Sequence, residues 1–195
     1  NYCNEKPLDW TMSVWDHDSL AFACDYDLPF LKLPSAMLTR SELLIATAKT
    51  NKPIIISTGM STLEEIDVAV NILEKHAKTY ALLHCNSSYP AKEYELNLRV
   101  IPMLKERYGC AVGYSGHEYG LRPTYLATVM GAQIIERHIT YDREMWGTDQ
   151  SSSVEISGMF MLRNRLLNIE KLLGDGKKVV TESEEKIRRK LRGDD

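Results

Sequence analysis

Residues 51–76 read NKPIIISTGMSTLEEIDVAVNILEKH, and the organisation of the chain can be worked outward from them. Pro53-Ile54-Ile55-Ile56-Ser57 is apolar at consecutive positions rather than at alternate ones. A strand reads this way when helices cover both of its faces, which favours a parallel sheet. Ser57-Thr58-Gly59 then breaks the run, and Ser61 followed by Glu64 has the spacing of a capping box. Beyond it, Leu63, Ile66, Val70 and Leu73 fall on one helical face. The segment is one βα unit.

The same alternation recurs on both sides. Further candidate strands are Thr11–Trp15, Pro29–Leu33, Tyr80–His84, Cys110–Tyr114 and Gln133–His138, and Ala81-Leu82-Leu83 is again apolar at consecutive positions. Thr39 with Glu42 is a second capping-box pattern. Met159, Leu162, Leu166, Ile169 and Leu173 repeat at three and four, with Gly174 placed to end that helix. Strand starts recur every ~20–30 residues, the length of a βα unit, and give about six units. A closed (β/α)8 barrel has eight strands and typically ~250 residues, so as an α/β TIM barrel this chain is partial, with two units expected before Asn1. An open doubly wound sheet fits the pattern equally well. Residues 181–195 mix acids and bases without a clear apolar stripe and read as a solvated helix or a linker after a domain spanning 1–180.

Composition narrows the class. The 195 residues are 44% hydrophobic and 26% charged, which suits one globular domain with a sizeable core. A net charge of -3 with scattered Lys and Arg predicts no general affinity for nucleic acid or an anionic membrane. No apolar run approaches the ~18 residues of a membrane span, and no secretory apolar region opens the chain. Cys3, Cys24, Cys85 and Cys110 form no CxxC pair and read as reduced packing thiols, placing the protein in the cytoplasm. A first residue of Asn rather than Met predicts a piece of a longer protein.

In barrels and open α/β sheets alike, chemistry collects at the carboxyl ends of the strands. Those ends carry Ser13, Lys32, Ser35, Ser57, Thr58, Ser87, Tyr89, Ser115, His117, Glu136 and His138, and Asp149 lies in the loop beyond. Neutral imidazoles are common metal ligands, and two of them leave coordination sites for substrate and water. No short HxxxH or HxH motif joins His117 to His138, and a strand-end His taken alone is more often a hydrogen-bonded structural residue. Lys32 interrupts an apolar strand, so its ammonium needs an anionic partner, either Glu136 or a bound phosphate or carboxylate. Ser57-Thr58-Gly59 fits an anion cradle ahead of a helix N-terminus and equally an ordinary capped turn. Asp149 suits sugar hydroxyls or acid/base work, although a loop Asp is usually just solvated. His84 and Cys85 read as structural, and His17 and His76 as helix-surface residues.

Six segments, in order, resemble the sialic acid synthase family: Lys32-Leu33-Pro34-Ser35, Lys52 to Met60, Leu83 to Pro90, Gly113-Tyr114-Ser115-Gly116-His117, Ile135-Glu136-Arg137-His138 and Gly147-Thr148-Asp149-Gln150. The family comprises the N-acetylneuraminate, legionaminic and pseudaminic acid synthases. The resemblance implies a (β/α)8 barrel followed by a small antifreeze-like domain, in a cytoplasmic homodimer. It implies condensation of phosphoenolpyruvate with an N-acetylated amino sugar (N-acetylmannosamine or a diacetamido sugar), forming a nine-carbon 2-keto acid and phosphate. Lys32, Ser35, Ser57, Thr58, Ser87 and Ser115 match the phosphoenolpyruvate-binding set, and Ser13 stands where the family often has Thr. His117 and His138 match two ligands of a divalent metal, Mn2+ by resemblance and Mg2+ or Co2+ otherwise. Tyr89 and Asp149 match sugar-contacting positions, while Glu136 and Asp149 are the candidate catalytic carboxylates. Met37 departs from the acidic residue of many members, and Gly116 from the Asp of some. The family's catalytic Glu and a second phosphoenolpyruvate-binding Lys would precede Asn1, so the segment alone is expected to be inactive. Two alternatives remain at this stage: a phosphoenolpyruvate-dependent synthase acting on a phosphorylated aldose, and a truncated barrel that only binds sugar.

Overall fold

The computed structural model describes residues 2–6 and 8–193. After a short helix α1 (Tyr2–Glu5) and α2 (His17–Cys24), the chain alternates: β1 (Leu31–Leu33), α3 (Ser41–Ala48), β2 (Ile54–Ser57), α4 (Leu63–His76), β3 (Tyr80–Cys85), α5 (Val100–Tyr108), β4 (Ala111–Gly116), α6 (Arg122–Val129) and β5 (Ile135–Arg137). β6 (Ile139–Thr140), β7 (Val154–Glu155), α7 (Ile156–Leu173) and α8 (Glu182–Arg192) complete it.

Every pairing is parallel, and the sheet order β1-β2-β3-β4-β5 is the sequence order. A doubly wound sheet reverses its strand order at a switch point, and this one does not. It is the curled wall of a barrel, and the choice left open by the pattern falls to the (β/α) barrel. Ser13 extends the wall at its leading edge by a parallel bridge to Lys32, and β6 pairs with β7 at the trailing edge.

Directly paired residues of a parallel sheet share a face. The register therefore sorts the strands into two surfaces. Leu31, Leu33, Ile54, Ile56, Leu82, Val112 and Tyr114 point outward and pack under the helices with Leu43, Leu44, Ile66, Val70, Leu73, Ile101 and Leu104. At roughly 1.5–3 kcal/mol for each large apolar side chain buried, this layer is the main stabilising force. The inward set is Lys32, then Ile55 and Ser57, then Leu83 and Cys85, then Gly113 and Ser115, then Glu136. It grows more polar toward the carboxyl ends.

Several expected boundaries shift for local reasons. Thr11–Trp15 reduces to the Ser13 bridge, with the Val14 N–H donating to the Lys32 carbonyl at 2.8 Å. β1 and β2 start after Pro29 and Pro53, which have no N–H to give a ladder. The capping box at α4 falls one residue later than expected, on Thr62 and Glu65, while the Ser61 hydroxyl donates to the Gly59 carbonyl. Thr39 caps nothing: α3 follows Arg40 and has no side-chain cap. Gln133–His138 narrows to β5, and β7 was not anticipated. α7 ends at Gly174 as its spacing predicts. α8 starts with a Thr181–Glu184 capping box and has no buried residue, so the tail up to Gly193 is a solvated helix, and Asp194 and Asp195 lie outside the described residues. No helix among the described residues is long and apolar enough to cross a membrane.

Candidate active site

The carboxyl ends of the strands surround a cavity of about 650 Å³. Eleven of the twelve candidate residues line it: Ser13, Lys32, Ser35, Ser57, Ser87, Tyr89, Ser115, His117, Glu136, His138 and Asp149. Thr58 is the exception. It is buried, and both its N–H and its hydroxyl donate to the Leu83 carbonyl, at 2.9 and 3.1 Å.

One end of the cavity is built around Lys32. Its Nζ donates to Ser57 Oγ at 2.9 Å and lies 3.3 Å from Glu136 Oε2, while Ser115 Oγ donates to Glu136 Oε1 at 2.8 Å. Of the two partners open to Lys32 from the sequence, the structure shows the carboxylate. The pair is not sealed, because the Glu136 side chain is 36% exposed. A second anion entering the cavity meets the same ammonium and both hydroxyls.

Beside it, Ser35, Cys85 and Ser87 gather around Gly59. The Gly59 N–H donates to Ser35 Oγ at 3.0 Å, and Cys85 Sγ lies 3.1 Å from Ser35 Oγ and 3.9 Å from Ser87 Oγ. A Cβ on Gly59 would sit 2.2 Å from Ser87 Oγ and 2.6 Å from Cys85 Sγ, so only glycine leaves this cluster room. Cys85, which reads from sequence as structural, belongs to the cavity wall.

Farther along the cavity wall the ring centroids of His117 and His138 lie 5.2 Å apart, and the Tyr89 ring lies 4.3 Å from the first, tilted against it, and 5.7 Å from the second, edge-on. His117 Nδ1 is 2.8 Å from the Asn86 carbonyl, which can only accept, so Nδ1 carries the proton and Nε2 keeps its lone pair. Burial holds the His117 pKa below the usual imidazole value, which favours the neutral ring. His138 Nδ1 faces Asp149 Oδ2 at 3.4 Å, which orients that ring in the same sense. Two imidazoles, each engaged at Nδ1 by an oxygen, match the outer-sphere pattern of metal-binding histidines. Two imidazole nitrogens suit a divalent ion whose other positions are filled by substrate or water; among the described residues no group of three or more His, Cys, Asp or Glu is gathered closely enough to hold one without them.

Two groups escaped the reading of single residues. Glu118 and Arg137 form an ion pair at 2.9 Å with side chains 0% and 1% exposed. The signal was there: Arg137 lies between inward-facing Glu136 and His138, so alternation sends it into the helix-covered layer, where a charge needs a partner. Met37, the departure from the family pattern, packs against the core rather than lining the cavity. His84 is structural, its Nε2 held 2.7 Å from the Leu96 carbonyl.

Fold and site define a class: a (β/α)-barrel wall whose strand ends join an ammonium–carboxylate–hydroxyl cluster to a pair of imidazoles in one cavity. The chain belongs to the NeuB family, whose model matches residues 1–178. It is 38% identical over 187 residues to the N,N'-diacetyllegionaminic acid synthase of Campylobacter jejuni, covering 94% of this chain and 55% of that protein. It is 36% identical over 171 residues to the N-acetylneuraminate-9-phosphate synthase of Drosophila melanogaster, covering 87% and 46%. Against the crystal structure of the N-acetylneuraminic acid synthetase of Leptospira borgpetersenii in complex with citrate, the TM-score is 0.87 at 34% identity, over 97% of this chain and 67% of that one. The chain thus spans about half the length of these curated relatives.

Proposed function

We propose that the full-length protein condenses phosphoenolpyruvate with an N-acetylated amino sugar to a nine-carbon 2-keto acid, releasing phosphate. The observation that carries this reading is the juxtaposition in one cavity of the Lys32–Ser57–Ser115 group with His117 and His138. The names of the relatives given above, an N,N'-diacetyllegionaminic acid synthase, an N-acetylneuraminate-9-phosphate synthase and an N-acetylneuraminic acid synthetase, support it. By resemblance, the reading extends to a cytoplasmic homodimer with an antifreeze-like domain following α8.

Lys32, Ser57 and Ser115 hold the anionic substrate, with Ser35 and Ser87 extending the donors toward Gly59. Preorganised donors of this kind are usually the largest electrostatic contribution to such a reaction. Tyr89 and Asp149, at the mouth, orient the sugar so that its aldehyde carbon lies against C3 of phosphoenolpyruvate. Nε2 of His117 and of His138 would hold a divalent ion, which when bound would supply Lewis-acid polarisation of the aldehyde oxygen. The C3–carbon bond forms as the aldehyde oxygen takes a proton, water adds at C2, and the C–O bond to phosphate breaks to leave the keto acid. Glu136, between Lys32 and Ser115, is placed to take the proton of that water.

The test is phosphate release from phosphoenolpyruvate by the full-length protein, with Mn2+ and with chelator. Acceptors are N-acetylmannosamine, a diacetamido-trideoxy sugar and a phosphorylated acetamido sugar. Metal-dependent release with one of them establishes the reaction and names the acceptor. Release confined to the phosphorylated sugar assigns the 9-phosphate branch, and no release from folded protein with any acceptor overturns the proposal.

Gly59→Ala probes the anion pocket separately. Its Cβ pushes on Ser35, Cys85 and Ser87, so the KM for phosphoenolpyruvate is expected to rise about tenfold, equivalent to ~1.4 kcal/mol of lost binding. The KM for the sugar should change little. An unchanged phosphoenolpyruvate KM would remove Ser35 and Ser87 from the binding set.

A further inference from the structure

His117 and His138 line the cavity from different strand ends, so their spacing is only as fixed as the spacing of those ends. On the inner face the two rings meet at 5.2 Å. Directly behind them, on the outer face, Glu118 and Arg137 meet at 2.9 Å. Alternation produces this arrangement, because each charged residue is the chain neighbour of an imidazole and points the other way.

The pair is fully satisfied at the carboxylate. Glu118 Oε1 accepts from Arg137 and, at 3.2 Å, from Thr124 Oγ1, while Glu118 Oε2 accepts from the Tyr114 hydroxyl at 2.8 Å. The guanidinium also donates to the carbonyls of Glu118 at 2.8 Å, Gly120 at 3.0 Å and Ser152 at 3.4 Å. It thereby ties β5 to the loop after β4 and to the turn Gln150–Ser152, which directly follows Asp149. The pair lies flush on the β4 backbone: a Cβ on Gly116 would come within 2.7 Å of Glu118 Oε2 and 3.0 Å of Arg137 Cδ.

Buried ion pairs are often no more stabilising than well-packed apolar residues of similar volume, so stability alone is a weak reason for this one. A planar guanidinium with five donors is, however, well suited to fixing the relative position of several backbone segments. We infer that the Glu118–Arg137 pair is a positioning device for the divalent ion, setting the separation of His117 and His138 and holding Asp149 against His138. Neither residue touches the ion; both act through the ligands. The inference rests on the two-imidazole reading above and deepens it.

The test is Mn2+ affinity of the metal-free full-length protein by calorimetry, with circular dichroism to confirm folding. Three variants are compared with wild type. Arg137→Lys keeps the charge without the fork. Glu118→Leu with Arg137→Met replaces the pair by apolar volume. Tyr114→Phe keeps both charges and the packing and removes only the hydroxyl that steadies Glu118. Loss of outer-sphere partners typically weakens metal binding 10–100-fold, and that range is expected for the first two, with a smaller loss for Tyr114→Phe. Folded variants that bind Mn2+ as tightly as wild type overturn the inference alone. If the first two do not fold, an unchanged affinity in Tyr114→Phe does so. A wild-type protein that takes up no Mn2+ overturns instead the ligand assignment beneath it.

Discussion

His117→Ala in the full-length protein is expected to lower metal-dependent phosphate release by on the order of a thousandfold, and His138→Ala to do the same. Lewis-acid polarisation of a carbonyl is worth several kcal/mol of transition-state charge stabilisation, and each 1.36 kcal/mol is about tenfold in rate. Removing one of two protein ligands forfeits most of it. The fold should survive, because both rings line the cavity and neither belongs to the apolar layer between sheet and helices. Steady-state phosphate release at saturating phosphoenolpyruvate, with circular dichroism as control, reads both halves of the expectation. Normal turnover by either variant would refute the ligand assignment.

Arg137→Met alone is expected to destabilise the protein severely, by about 3–5 kcal/mol, because it strands the Glu118 carboxylate in a site with no access to water. For a chain of this size that corresponds to a fall in melting temperature on the order of 10 °C. The double change of Glu118→Leu with Arg137→Met should recover most of the loss, since no charge is then left buried. Thermal denaturation of the two proteins side by side provides the measurement. A single variant melting within a degree or two of wild type would mean that water reaches Glu118.

The architecture was legible because its signals are repeated. The consecutive apolar residues of Ile54–Ile56 and Ala81–Leu83 announced strands covered on both faces, and the spacing of Leu63, Ile66, Val70 and Leu73 announced the helix between them. Periodicity does not carry the order of strands in the sheet, which is a long-range property. The barrel was separated from the open sheet by resemblance and then by the register. At the site, residue type and strand-end position were enough to find eleven of twelve candidate positions in one cavity. Thr58 was misplaced because a serine and a threonine adjacent in sequence point to opposite sides of an extended chain, and only Ser57 faces inward. Glu118, Arg137 and Cys85 were passed over for a related reason. What each does depends on which face it occupies, and that is settled by the register rather than by the residue itself.

The sheet order that identified the barrel also bears on how the chain reaches its structure. Because each strand pairs only with its predecessor and successor in sequence, every pairing closes a loop of roughly 20–30 residues, at an entropy cost that rises only slowly with loop length. No strand within this stretch waits for a remote partner, so the wall can be added to one βα unit at a time, in the order in which a ribosome delivers it.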